Sequence, residues 1–431
     1  MKYATHRSEL ARFVACAALV AGGCADDHEA DDDGHTEAGH PALTWDELAL
    51  GCSVMGEGEQ AHVMCNHGHA LNLRNENLWE RWRLLQSKGI VQPNEAQLMH
   101  GGQSHDPLPP PLTPTLRARL GERVRIRAAS YGPQFHTFHV HGHLWKDGTK
   151  AADTKTLGPA EVYDLAEFHA GAGIDDPTER AGVGDWMYHC HVETHAVTGM
   201  WGIFRVLPAP GAKEQPVGDD APNAAGRFAH EVPPPLGGPG QKLTVHVVAA
   251  EVPLVVARSF VPATGKLVDV VRKARLYIPM PDEASWQAAT AADLTARFAA
   301  GEKSTHSAWI LSLRKGTEVT VKLRNLMPDV PASLHPHGVA YKVESDGTME
   351  VSMAMPGGKP TVSTWTADTV GTWPLHDHAR QVENIGRGLF SAIVVKDDAE
   401  IAAIQRDYLV IFHDYDMDWM MGSATPIGGG H

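Results

Sequence analysis

At 431 residues the chain is long enough for two or three domains with a sizeable apolar core, so no staple of disulfides or structural metal is needed to hold it together. Apolar residues make up 43% and charged ones 21%, which excludes a disordered or fibrous protein. With 37 basic against 52 acidic side chains the net charge is −15, which speaks against a nucleic-acid partner, while 26 histidines raise the question of metal.

Residues 1–24 carry Lys2, Arg7 and Arg12 ahead of an apolar run that ends in small residues, the pattern of an export signal. Small residues directly before Cys24 resemble a bacterial lipoprotein cleavage site, although Ala21 stands where such sites usually have Leu. The expectation is an exported protein of a bacterial cell envelope, periplasmic or outer-membrane, with Cys24 lipidated; free secretion is the alternative. No later run approaches the roughly 18 apolar residues of a membrane helix. Residues 25–41 hold seven acids and three His and read as a solvated tether. Residues 208–241 hold 14 Pro and Gly in 34 positions and read as a linker between a first domain at 42–207 and a second at 242–431.

Within the domains, residues 124–128, 135–145, 186–192, 242–248, 317–323 and 390–396 are short β-branched or aromatic runs bounded by turn residues. They predict strands, and their spacing predicts an all-β sandwich or barrel in each half. Helices are predicted at 74–88 and 283–300 as insertions. A repeat links the halves: Gly184, Trp186, His189 and His191 recur in the same spacing as Gly371, Trp373, His376 and His378. Upstream, His139-Val-His141-Gly recurs as His335-Pro-His337-Gly.

Side chains alternate across a strand, so both His of each His-x-His pair project from one face. Two such strands per copy predict a patch of four imidazoles in each domain, and two matching patches predict a metal cluster at an interface between domains. The same parity sends Cys190 the other way, into its own domain, together with His136, three residues before His139. His195 and Met200 follow Cys190 on one strand–loop–strand unit. Two His, one Cys and an axial Met are the ligand set of a blue-copper electron-transfer site. The second copy has Ala332 opposite His136 and Asp377 opposite Cys190, so one such site is expected, in the first domain only.

The stretches HTFHVHGH (136–143) and HCHVETHAVTGM (189–200) resemble the C-terminal signature of multicopper oxidases such as laccases and ceruloplasmin, and 333–347 resembles ceruloplasmin-type cupredoxin domains. The resemblance covers most of 117–207 and 306–413 and implies two cupredoxin-like Greek-key domains holding four coppers. It implies a type 1 copper on His136, Cys190, His195 and Met200. It implies a type 2 copper on His139 and His335, and a type 3 pair on His141, His189, His191, His337, His376 and His378. The implied reaction takes single electrons from a phenol or a metal ion such as Cu(I), Fe(II) or Mn(II) and passes them through Cys190 to reduce O2 to water. Glu193, two residues after His191, leans toward the cluster if the strand continues, and the resemblance implies a proton relay there. Because the Cys-bearing domain comes first, the chain looks like the two-domain oxidases, which implies a homotrimer whose clusters lie between subunits; closure within one chain is the alternative.

Two other functions stay open. A copper nitrite reductase is likewise a trimer of two cupredoxin domains but lacks the type 3 His set. A non-catalytic copper-binding envelope lipoprotein would bind the metal without consuming oxygen. Of the weaker features, His67-Gly68-His69 reads as a loop around a possible Cys52–Cys65 bridge, His143 as structural, and Met349, Met353, Met355, Met417, Met420 and Met421 as packing residues. Residues 42–115 suggest no purpose.

Overall fold

The computed structural model describes residues 68–100, 108–173, 181–211, 221–348, 352–416 and 419, with the backbone of two short strands before them. The export segment, the acidic tether, Cys24, His67, Met349, Met417, Met420 and Met421 lie outside the described residues. Among the described residues no helix is long and apolar enough to cross a membrane.

The chain begins with β1 (Cys52–Met55), β2 (His62–Cys65), β3 (Gly68–Leu71), β4 (Thr115–Arg119), β5 (Arg123–Tyr131) and β6 (His136–Val140). Next come β7 (Trp145–Asp147), β8 (Lys150–Ala152), β9 (Thr154–Leu157), β10 (Val162–Asp164), β11 (Phe168–His169), β12 (Gly184–Cys190) and β13 (Trp201–Leu207). The second half supplies β14 (Lys242–Val261), β15 (Lys266–Met280), β16 (Ile310–Arg314), β17 (Glu318–Asn325) and β18 (His335–Pro336). It ends with β19 (Thr361–Thr366), β20 (Gly371–His376), β21 (Phe390–Lys396) and β22 (Arg406–Tyr415). All six predicted strand segments lie on strands, and the fold is the expected pair of cupredoxin-like β-sandwiches.

The first sandwich faces a sheet ordered β10-β5-β22-β3 against one ordered β4-β13-β12-β6-β9. Leu116, Ile126, Phe138, Tyr188, Phe204 and Val410 fill the space between them. The second faces β15-β14-β17-β19 against β16-β21-β20-β18, around Val247, Leu313, Val321, Trp365 and Ile393. Period-two patterning makes these layers. In β17, for instance, Val319, Val321 and Leu323 are buried while Glu318, Thr320 and Lys322 lean outward.

The predicted helix at 74–88 forms as α1 (Leu78–Ser87), begun by the Asn77 side chain, which accepts from the Trp79 N–H at 2.8 Å. It is followed by α2 (Glu95–His100). A one-turn helix, α3 (Glu193–Val197), follows β12, and the predicted 283–300 segment divides into α4 (Glu283–Ala288) and α5 (Ala291–Arg297). The division has a local cause: Thr290 caps a new helix by accepting from the Asp293 N–H. Leu78, Leu84, Leu85 and Leu98 of α1 and α2 cover the outer face of β12 and β13 at Met187, Trp201 and Ile203. Phe260, near the tip of the long β14–β15 hairpin, reaches the same cluster, so residues beyond the sandwich proper cap the first domain.

Two expected boundaries need correction. β22 was expected in the second domain, but it pairs in parallel with β5 and closes the first sandwich. The run from Tyr408 to Phe412 is continuously apolar because both its faces are buried. Tyr408, Val410 and Phe412 enter the first core, while Leu409 and Ile411 enter a separate core shared with Val248, Leu276 and Val394 of the second unit. The Pro/Gly-rich connection is likewise tied down by backbone hydrogen bonds within 221–241, although most of its side chains are exposed. Val232 N–H donates to Asp407 O at 2.8 Å and Leu236 N–H to Ser312 O at 2.9 Å, so this strap is stitched to both units.

Candidate metal centre

β6 and β12 are neighbours in register, with His139 opposite His189 and Phe138 opposite Cys190. That pairing fixes the parity: Cys190 and Phe138 face the core, His139 and His189 the opposite side. In the core, Cys190 Sγ lies 3.9 Å from His136 Nδ1 and 3.7 Å from His195 Nδ1, and the two Nδ1 atoms are 3.2 Å apart. Met200 is held beside them, since its backbone carbonyl accepts from the Cys190 N–H at 2.9 Å and its N–H donates to His195 O at 2.9 Å. Burial lowers the His136 imidazole to about 3 and the His195 imidazole to about 4, so both rings are neutral at ordinary pH and offer lone pairs. Burial pushes the Cys190 thiol up to about 11, a proton that a bound metal would displace.

The opposite face carries a second arrangement, and the second domain repeats it. His141 Nε2 and His189 Nε2 are 3.2 Å apart; His337 Nε2 and His376 Nε2 are 3.1 Å apart. His139 Nδ1 bonds Asp153 O and His335 Nδ1 bonds Asp346 O, each at 2.7 Å. His189 Nδ1 bonds Cys190 O at 2.8 Å and His376 Nδ1 bonds Asp377 O at 2.9 Å. In each case the carbonyl fixes the ring so that Nε2 points away from the strand. His191 and His378 complete the two sets, with ring centroids 5.3 Å from His139 and 5.1 Å from His335, and both are exposed. Among the described residues the two sets form separate groups, and no group mixes them.

The glycines of the His-x-His-Gly motifs have a matching purpose. Gly142 (φ +73°) and Gly338 (φ +63°) lie under Trp186 and Trp373, and a Cβ would stand 2.9 Å and 1.9 Å from those rings. In the second copy the sulfur position is refilled. Asp377 is buried and accepts from the Ser333 N–H and the Arg380 N–H, each at 2.8 Å, so it braces backbone where Cys190 has a thiol.

Glu193 needs correction. The strand ends at Cys190, and Glu193 opens α3 with its side chain exposed, so the alternation that aimed it at the cluster does not extend to it. His143 is structural: its Nδ1 bonds His141 O at 2.8 Å and its Nε2 accepts from the Gly171 N–H at 2.8 Å. β1 and β2 set the backbones of Cys52 and Cys65 directly opposite each other. Met355 is 55% exposed, so it does not pack as expected.

Two residues of the segment without evident purpose touch the sites. Glu95 of α2 lies 3.3 Å from His141 Nδ1, and His69 of β3 stacks on His195 with centroids 4.0 Å apart. The His67-Gly68-His69 triplet signals the second of these, although its partner could not be read from spacing; Glu95 carries no signal at all.

Soft sulfur with two neutral imidazoles in one site, and paired imidazoles in the others, is donor chemistry that fits copper. Fold and site therefore define a copper protein built from two cupredoxin-like domains. Multicopper oxidase family models match residues 81–210 and 304–400, and the chain belongs to the multicopper oxidase family. Over 114 residues it is 37% identical to a probable nitrite reductase-hydroxylamine oxidoreductase fusion protein of Kuenenia stuttgartiensis, a match covering 26% of this chain and 12% of that one. Among solved structures, the copper nitrite reductase of Nitrosomonas europaea aligns with 66% of this chain and 84% of its own at 14% identity and a TM-score of 0.20. The McoA multicopper oxidase of Aquifex aeolicus aligns with 40% of this chain and 31% of its own at 19% identity and a TM-score of 0.24.

Proposed function

We propose that this protein couples one-electron oxidation of a small reductant to the four-electron reduction of O2 to water. Four coppers per chain would be held as the resemblance implies: one by His136, Cys190, His195 and Met200, one by His139 and His335, and two by the remaining six His of the paired sets. Copper supplies the one-electron chemistry that protein side chains lack, and three ions together let O2 accept its electrons without release of partly reduced species.

The observation that carries this reading is the opposition across β12: the Cys190 sulfur faces the core while its covalent neighbours His189 and His191 belong to the imidazole face. The residue thus joins the two sites through bonded atoms, and the His189 Nδ1 bond to Cys190 O at 2.8 Å adds a second link. Burial of His136, Cys190 and Met200 keeps water from the sulfur site. The carbonyls of Asp153 and Asp346 hold His139 and His335 in one tautomer each. The reductant would be a phenol or a metal ion such as Cu(I), Fe(II) or Mn(II); the net charge of −15 favours cations by steering. The separate half-sets favour a homotrimer in which each chain completes its neighbour's cluster. Export to the cell envelope with a lipid anchor on Cys24 belongs to the same proposal on the strength of the N-terminal motif.

Nitrite reduction is the second reading, favoured by the name of the fusion protein that shares 37% identity over part of its length. Against it stand the two full sets of imidazoles, more than a single mononuclear site requires. Copper counting with oxygen uptake against a panel of phenols and metal ions separates the readings. Four coppers per chain with oxygen consumption are expected; nitrite turnover without oxygen uptake would favour the second reading. Copper binding with no uptake on any reductant would leave a metal-storage role. Cys190→Ser is expected to abolish both the intense blue absorption and turnover, and a blue variant would refute the sulfur assignment.

A further inference from the structure

All four ligands of the sulfur site are sealed: His136, Cys190 and Met200 are 0% exposed and His195 is 5% exposed. His195 is covered by β3, the edge strand of the β10-β5-β22-β3 sheet. His69 on that strand is 2% exposed and stacks on the His195 ring at 4.0 Å between centroids and 24° between planes. Its Nδ1 meets Thr198 Oγ1 at 2.7 Å, within the loop that joins His195 to Met200. Asn75 ties the same two partners by backbone, donating from Nδ2 to His69 O at 2.6 Å and to Thr198 O. Gly199 makes room for this tie, since a Cβ there would stand 2.1 Å from the Asn75 amide. In the second copy, where Asp377 replaces the sulfur, that carboxylate accepts from the Ser333 and Arg380 N–H groups and from Asn384 Nδ2.

We propose that His69 is a positioning residue for the sulfur site: its ring, stacked on His195, sets the orientation of that ligand and shuts its face off from direct contact with the reductant. The inference rests on the type 1 reading of Cys190 and its neighbours, and it narrows the substrate class. The reductant delivers its electron across a layer of protein rather than by touching a ligand imidazole, so small outer-sphere donors suit the site better than donors that must press an aromatic face onto His195.

The test compares copper-loaded wild type with His69→Ala, His69→Phe and His69→Leu. Visible and EPR spectra report the geometry of the blue site, and the rate at which bathocuproine with ascorbate strips its copper reports the seal. His69→Ala is expected to shift the spectra and speed copper loss severalfold, while His69→Phe, which keeps a stacked ring, retains the wild-type spectra. His69→Leu fills the same volume without a ring and is expected to behave as Ala does; it replaces Ala in the comparison should Ala fail to fold. Wild-type spectra and stripping rates in Ala or Leu would overturn the proposal, as would spectra in Phe shifted as far as theirs. A wild-type protein that binds copper without a blue band would instead refute the type 1 reading on which the proposal stands.

Discussion

Asp414 is a buried acid at the edge of the sulfur site whose two carboxylate oxygens make no hydrogen bond. It lies 3.8 Å from His69 Nε2, and burial pushes its carboxyl from 3.8 up to about 8. In the unfolded chain the group ionises at its ordinary value, so between those two values the native protein holds a proton that the unfolded one has lost. Stability contributed by this residue therefore falls as pH rises from about 4 toward 8. Asp414→Asn removes that dependence. Urea unfolding of the metal-free protein across this range is expected to give a flatter pH profile for the variant than for wild type; parallel profiles would place the proton elsewhere. Such a residue cannot be read from sequence. Asp414 and His69 are neighbours only because β22 pairs with β3, and nothing local to either position announces it.

At the scale of elements, the repeated glycine–tryptophan pairs explain why both motifs recur together. Gly338 holds a left-handed backbone and lies against Trp373, so Gly338→Ala must strain the backbone and displace the ring. A cost of about 1–3 kcal/mol is expected for the overpacking, read as a lower midpoint in thermal unfolding, with loss of copper from the second half-set. A second tie is between sheets. Arg127 of β5 is 0% exposed and forks onto Asp407 of β22 at 2.7 and 3.0 Å, while its other nitrogen bonds Asp164 Oδ2 at 3.0 Å and Thr372 Oγ1 of β20 at 3.1 Å. Arg127→Met would leave Asp407 buried with Lys396 as its remaining cation, and a loss of about 3–5 kcal/mol is expected in urea unfolding. A change below about 1 kcal/mol would mean that water reaches the network. Alternation made the imidazole faces and the opposed Cys190 legible in the sequence, because period two is a local property. It failed at Glu193 because the residues beyond a strand decide where it ends, and here they form a helical turn rather than more strand. The brace from His69 and the carboxylate of Glu95 depend on contacts between distant segments and were beyond its reach.

For the whole molecule, the question is where each half-set finds its complement. Within the chain the two sandwiches are fastened by the shared core around Leu409 and Ile411 and by the Arg127 network, with the exposed His191 against His139 and the exposed His378 against His335. Light scattering on a sizing column is expected to give three chains per particle with the full copper complement. A monomer holding four coppers would mean that the sets meet within one chain. The position of β22 carries one more consequence. It supplies Phe412, which stacks on His136 at 5.4 Å, so a side chain of the sulfur site leans on a residue made long after it. A nascent polypeptide stopped at residue 405 would possess His136, Cys190, His195 and Met200 and still have a gap beside β5, leaving the sulfur site to be walled in only once β22 has been made.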